Sequence, residues 1–343
     1  MVKFGNVEVL RNATPIKGLN SFEGILEGAE KLGHKRRRIE QDKKFEFIYK
    51  PSEFSDIVLQ ADGEEYLPTE LFINSTCKHF GIPIGYAKKI STGLLLDNLN
   101  KRRIAISEFD LIYRNNEAIA VVRPSYEPFN LVNLFNTIKE YSQSCEIKQS
   151  TLDDNGIYIE LLSRDKHIEI AGEAFDFGVS ISSSDTARFA SSLLPYINRR
   201  ICANGAIAPF IFGGYRKTRG FDEDTVINKF KNLLTGEGLQ QNLARMLSMP
   251  LLCLDIYSIY SKIKSKFGPD VSSKILSLSE ERLTWVLKRV HEYLQPKEEF
   301  PMQELSRKTL FDNLSEFGRD LTNTENKRYI QVLCGDLLKP SLS

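Results

Sequence analysis

Phe175-Asp176-Phe177-Gly178-Val179-Ser180-Ile181-Ser182 alternates strictly between apolar residues and polar or small ones. Successive side chains of a strand point to opposite faces, so Phe175, Phe177, Val179 and Ile181 share one buried face. A strand that is apolar on one side only belongs to an antiparallel sheet covered on that side. The preceding chain agrees. Asp154-Asn155-Gly156 is a hairpin signal between Cys145 and Ile147 on one side and the alternating Ile157, Ile159 and Leu161 on the other. Further upstream, Leu111–Tyr113 and Ile119–Val122 flank Asn115-Asn116, where asparagine tolerates the positive φ of a tight turn. Arg103–Ser107 is expected as a strand ahead of them. Phe45, Phe47 and Tyr49 alternate with Glu46, Ile48 and Lys50 as another, and Val2, Phe4, Val7 and Val9 open the chain with the same rhythm.

Helices fill the gaps between these strands. Leu131, Leu134, Phe135 and Ile138 fall on one face of a helix over Asn130–Tyr141, with Asn130 as its N-cap. Shorter helices are expected over Phe22–Leu32, after Pro68, from Pro83 to Ile90, and over Leu94–Leu99. Gly81-Ile82-Pro83 stops the second of these. Phe189, Leu193 and Ile197 recur every four residues, as on a buried helix face. After Gly220 the pattern turns helical throughout. Asp222, Glu223 and Asp224 suit a helix N-terminus, and Val226, Ile227, Phe230 and Leu234 follow. Ile256, Ile259, Tyr260, Ile263 and Phe267 mark a second helix, Leu283, Val286, Leu287, Val290 and Leu294 a third, and Thr324–Leu338 a fourth. The fold class is therefore α+β: a mainly antiparallel sheet with helices on one face over residues 1–220, then a C-terminal helical region over 221–343.

At 343 residues, 41% hydrophobic and 27% charged, the composition is that of an ordinary globular chain with one large or two moderate domains. No run approaches the ~20 apolar residues of a membrane span. No secretory pattern opens the chain, so no membrane association and a cytoplasmic location in a bacterial host are expected. Cys77, Cys145, Cys202, Cys253 and Cys334 are odd in number, widely spread and without a CxxC pair, so they read as small buried hydrophobes.

The net charge is only +1, so any positive field must be local. Residues 186–221 hold the cations Arg188, Arg199, Arg200, Arg216, Lys217 and Arg219 and no carboxylate, with six aromatics interleaved. Cations beside aromatic faces suit a phosphate backbone with stackable bases. Asn204-Gly205 favours a tight turn whose amides meet phosphate oxygens, with Arg199 and Arg200 as donors. The alternative is that the turn only redirects the chain and the arginines pair with carboxylates elsewhere. Tyr215 offers a stacking face, and Arg216, Lys217 and Arg219 lie on a basic turn. Lys35, Arg36, Arg37 and Arg38 form a second basic cluster and Lys101, Arg102 and Arg103 a third; each reads equally as a solvated charged segment.

Pro195-Tyr196-Ile197-Asn198-Arg199-Arg200-Ile201-Cys202-Ala203-Asn204-Gly205 resembles the signature of a phage- and plasmid-borne family, the phage/plasmid-like proteins, catalogued as a domain of unknown function. Arg199, Cys202, Asn204 and Gly205 fall on its Arg-x-x-Cys-x-Asn-Gly pattern. Ala203 stands where that family has threonine. Phe80–Tyr86 and Arg123–Pro128 resemble two of its upstream segments, and the histidine it often carries downstream is missing from Tyr215–Arg219. The resemblance implies a mobile-element origin and a role near DNA replication or recombination.

Catalytic signatures are not found. Gly213-Gly214-Tyr215-Arg216-Lys217-Thr218 lacks the glycine before lysine that a phosphate loop requires. Cys77-x-His79 has no second ligand pair at zinc-like spacing. Asp153-Asp154 is explained by turn propensity. The expectation is a non-catalytic protein that binds nucleic acid, single-stranded DNA before RNA, as a homo-oligomer and without metal or cofactor. Its binding residues would be Arg199, Arg200, Asn204, Gly205, Tyr215, Arg216, Lys217, Arg219 and Lys35–Arg38. The alternatives are a scaffold or host-factor-binding protein of a mobile element and a nuclease with a dispersed site.

Overall fold

The computed structural model describes residues 1–170, 173–199, 205–207, 215–216, 223–235, 239–291, 299, 305–321 and 323–338. It is an α+β protein built on two principal sheets. The strands are β1 (Val2–Phe4), β2 (Val7–Val9), β3 (Ile16–Lys17), β4 (Lys35–Glu40), β5 (Phe45–Tyr49), β6 (Ile57–Ala61), β7 (Glu64–Pro68), β8 (Glu108–Arg114), β9 (Glu117–Val122), β10 (Cys145–Asp153), β11 (Gly156–Ile170), β12 (Glu173–Ser183), β13 (Ser192–Arg199), β14 (Gly205–Ile207) and β15 (Tyr215–Arg216). β1 and β2 form a separate hairpin.

The six-stranded sheet runs in the order β4-β8-β9-β7-β6-β5. Its ladders are antiparallel except β7 with β9, which run parallel. A parallel pair needs a long crossover. Here it contains the helices Glu70–His79 and Thr92–Arg103, capped by Thr69 and Ser91, whose hydroxyls accept from backbone amides three residues on. Phe72, Ile73, Cys77, Leu95 and Leu99 of those helices bury against Phe45, Phe47, Phe109 and Leu111 of the sheet. Asn115, at φ 51, makes the β8–β9 turn.

The seven-stranded sheet is antiparallel throughout, in the order β14-β13-β12-β11-β10-β3 with β15 also beside β13. Val179 and Ile181 pack with Ile157, Ile159, Leu161 and Leu193 beneath the helices Phe22–Leu32, Leu131–Ile138 and Glu223–Thr235. The intervening residues face the other way and meet the helix Thr324–Leu337. There Gln331 Nε2 donates to Glu160, and the Tyr158 hydroxyl bonds both Glu160 (2.9 Å) and Gln331. Gly178 stands opposite Leu162, and a Cβ at Gly178 would sit 1.6 Å from the Leu161 carbonyl oxygen. The glycine in the deciding run is thus required by the close approach of β11 and β12. Beyond the sheet, Ile256, Ile259, Ile263, Leu283, Val286, Leu310, Phe311 and Leu314 form a helical core, which Phe175, Phe177 and Ile197 enter from β12 and β13.

Two sequence expectations are corrected. Phe189, Leu193 and Ile197 do not share a helix: Leu193 and Ile197 lie in strand β13 and Phe189 precedes it. A spacing of four is an even number, so it keeps side chains on one face in either conformation. Arg103–Ser107 is not a strand, because the helix Thr92–Arg103 continues to Arg103. Arg103 is buried there, its guanidinium 5.0 Å from the Phe109 ring and donating to the carbonyls of Ile106 and Glu40. Among the described residues, no helix is long and apolar enough to cross a membrane.

Candidate functional site

The basic cluster Lys35–Arg38 forms β4, on the edge of the six-stranded sheet. Three of its four cations are engaged with carboxylates. Arg36 and Arg38 both pair with the buried Asp110, and Arg38 also reaches Glu108 at 3.1 Å. Arg37 bridges Asp62 at 2.6 Å and Glu64 at 3.1 Å. Arg36 further donates to the carbonyls of Tyr126 and Pro124, pinning the segment after β9. Lys35 alone makes no ion pair with a described residue. The cluster is largely an internal tie rather than an open positive patch.

Arg200, Asn204, Lys217 and Arg219 lie outside the described residues. For Arg199, Gly205, Tyr215 and Arg216 the backbone register gives the placement. Arg199 is opposite Phe175 and Gly205 opposite Asn198, at the end of β13. Arg216 is opposite Ser192 and Tyr215 opposite Leu193, at its beginning. Ser192 and Arg199 are seven residues apart, about 23 Å along a strand. The two halves of the acid-free window therefore sit at opposite ends of one strand. The Tyr215–Arg216 end is the one nearer in sequence to Arg188, which precedes Ser192 by four residues.

Arg188 lines a cleft that the sequence did not assemble. The cleft measures 530 Å³ and is walled by three separate segments and one further residue. The helix Glu70–His79 contributes Ser75, Lys78 and His79. The end of β9 contributes Val121 and Val122, followed by Arg123 and Tyr126. The turn between β12 and β13 contributes Thr186, Ala187 and Arg188, and Ile106 completes the wall. Among the described lining residues three are formal cations, one is histidine and none is a carboxylate.

Hydrogen bonds within and behind its walls fix the cleft's shape. Tyr126 Oη donates to the Ser184 carbonyl at 2.6 Å. Thr186 Oγ1 donates to the Asp154 carbonyl at 2.9 Å, and Ser184 Oγ donates to that of Asn155 at 2.5 Å. Ser75 Oγ donates to Phe72 O and accepts from the Val121 amide. Ala187 sits at φ 54, the left-handed region that costs a residue with a Cβ about 1–2 kcal/mol. That turn presents Arg188, whose amide donates to Ser184 Oγ.

Lys78 and Arg123 are exposed and make no ion pair with a described residue. Arg188 lies 3.6 Å from Glu325, a carboxylate that Lys266 also holds at 3.1 Å. Burial and then the nearby Arg123 charge push the His79 imidazole below its ordinary value, so it is neutral at pH 7. The last turn of a helix favours cations because it carries negative partial charge, which accounts for part of the clustering of Lys78 and His79. It does not account for Arg123 and Arg188 converging from elsewhere. Cys77 and His79 are two apart on a helix, so their side chains diverge, and burial pushes the Cys77 thiol up to about 12.

Of the lining groups, Arg188 belonged to the acid-free window, Arg123 to a resembling segment, and His79 to the rejected Cys-x-His pair. Lys78 carried no sequence signal. No family model matches the chain, and neither any curated protein nor any solved structure matches it.

Proposed function

We propose that the protein is a non-catalytic nucleic-acid-binding protein that takes single strands at the cleft between its two sheets. The observation that carries this is the convergence of Lys78, Arg123 and Arg188 on a lining with no described carboxylate. In a chain of net charge +1 such a field is local, and phosphate contacts supply most of the affinity of non-specific strand binding. The backbone register pairs Arg216 with Ser192, which puts that part of the acid-free window on the strand that follows Arg188. The sequence resemblance at Pro195–Ala206 supports a mobile-element setting, in replication, recombination or annealing, with the chain acting as a homo-oligomer on single-stranded DNA.

The deciding experiment is fluorescence anisotropy with a single-stranded oligonucleotide across a salt series. The comparison is between the native chain and Lys78→Glu/Arg123→Glu. Both side chains are exposed, so the double variant retains the fold. Its affinity should fall and its salt slope shrink by about 1.4, two phosphate contacts at roughly 0.7 each. Unchanged affinity and slope would refute the cleft as the binding site. Arg216→Glu/Lys217→Glu/Arg219→Glu tests in the same way whether the acid-free segment takes part.

A further inference from the structure

The cleft is more than a basic groove, because its polar and apolar sides are separated. The hydroxyls of Ser75, Tyr126 and Thr186 donate to backbone carbonyls within the protein. The polar groups left to a ligand are then Lys78, Arg123 and the neutral imidazole of His79, with Arg188 shared between the cleft and Glu325 at 3.6 Å. They select an anion. The half-buried Ile106 and Ala187, with the edges of the buried Val121 and Val122, supply an apolar wall that a bare phosphate would leave unused. A volume of 530 Å³ falls inside the range of roughly 300–1,000 Å³ typical of small-molecule sites. The occupant must therefore carry a flat or apolar body together with negative charge. The His79 ring, 6.0 Å from those of Phe80 and Phe109, and the Tyr126 ring add aromatic surface of the kind on which bases stack.

We infer that the cleft is a pocket for a single nucleoside monophosphate unit. Its phosphate would lie among Lys78, Arg123 and Arg188, and its base against the Val121–Ala187 wall. The inference rests on the nucleic-acid reading and narrows it from a groove tracking a backbone to a site for one nucleotide. That unit is either a free nucleotide or the phosphorylated end of a strand; both present the same chemistry.

The test is calorimetric titration of the full chain with AMP, dTMP, adenosine and inorganic phosphate. Competition by an oligonucleotide, with and without a 5′-phosphate, follows. The monophosphates should bind one per chain. Adenosine and inorganic phosphate should each bind at least about tenfold more weakly, since each fills only half the site. Lys78→Ala and Arg123→Ala should each weaken the nucleotide by about tenfold. Displacement by the 5′-phosphorylated strand alone would make the strand end the occupant; no displacement by either strand would make it the free nucleotide. No nucleotide binding at millimolar concentration, with oligonucleotide binding still dependent on Lys78 and Arg123, would overturn the pocket and leave the nucleic-acid reading standing. Loss of both kinds of binding in the native chain would overturn both.

Discussion

Asp154 Oδ1 lies 3.1 Å from His34 Nε2, and both side chains are buried. The same oxygen accepts from Arg114 Nη1 at 2.9 Å, and Oδ2 accepts from the Ala13 amide at 2.5 Å. His34 leads into β4, Arg114 ends β8, and Asp154 sits in the β10–β11 turn. One carboxylate thus ties the six-stranded sheet to the seven-stranded sheet. Burial alone would lower the His34 pKa, but hydrogen bonds and charge from Asp154 and Asp185 outweigh it and raise it to about 9. Burial likewise works against the Asp154 carboxylate, yet His34, the Ala13 amide and Arg114 hold it below its ordinary value.

These shifts set a pH dependence of stability. The His34 contribution is complete below its unfolded value of 6.5 and is lost as pH rises through about 9. Asp154 acts in the opposite direction: its contribution is present above 3.8 and is lost as pH falls. Urea midpoints should therefore be highest between those two values and decline towards pH 9, by on the order of 3 kcal/mol in total. His34→Gln should abolish the alkaline decline. A native midpoint that is flat over that interval would refute the clamp.

Removing the shared carboxylate is harsher. Asp154→Ala leaves Arg114 and a protonated His34 without their buried partner, which costs about 3–5 kcal/mol. Chemical denaturation checks the value, and a loss below about 1 kcal/mol would mean that solvent reaches the cluster.

Gly178 makes a second stability prediction. Its missing Cβ allows the β11 backbone within a distance that no alanine could share. Gly178→Ala should cost about 3 kcal/mol or more, or prevent folding. Gly93→Ala is the control. Gly93 lies in the helix Thr92–Arg103 with open space around its Cβ position, so alanine should stabilise by up to about 1 kcal/mol. Equal melting temperatures for the two variants would contradict this account.

Arg37 and Arg103 separate two fates of clustered cations. Arg37→Glu breaks partly exposed pairs with Asp62 and Glu64, so it should cost about 1 kcal/mol or less and leave oligonucleotide affinity unchanged. Arg103→Ala removes two hydrogen bonds to carbonyls and the packing between Phe45 and Phe109, a loss of about 2–3 kcal/mol. Thermal melts and anisotropy on the same samples decide both.

Much of the fold was legible because period and turn chemistry are local. Alternation located β12, Asp154-Asn155-Gly156 located the β10–β11 hairpin, and 3.6-residue spacing located the helix holding Ile256, Ile259 and Ile263. The site was less legible because its parts are distant in sequence. Arg36 and Arg38 look free until Asp110, 74 and 72 residues away, closes on them. Turn propensity accounted for Asp154 without hinting that its side chain would be buried between sheets. The cleft joins a helix end, a strand end and a hairpin turn, and only the parallel β7–β9 pairing and the packing of the sheets bring them together. Residue composition flagged Arg188 but had no means of placing it beside Lys78.

His79 gives the cleft a pH response that a simple basic patch lacks. The imidazole is neutral at pH 7 because burial, and then Arg123, oppose its protonation. A bound phosphate reverses that electrostatic balance, so the complex binds a proton more readily than the free protein. By linkage, affinity for an anion must then rise as pH falls from 7 towards the lowered free-state value, and level off once the free imidazole is itself protonated. Lysine, arginine and internal phosphodiesters do not titrate in this interval, but a terminal phosphate does, at about pH 6. With an oligonucleotide that lacks a terminal phosphate, the difference between the native and His79→Gln slopes therefore belongs to His79. His79→Gln should bind at least as well as the native chain at pH 8 but lose the gain on acidification. Anisotropy titrations between about pH 5.5 and pH 8 check it at constant ionic strength. Parallel profiles for the two proteins would remove His79 from the site and leave only the fixed cations there.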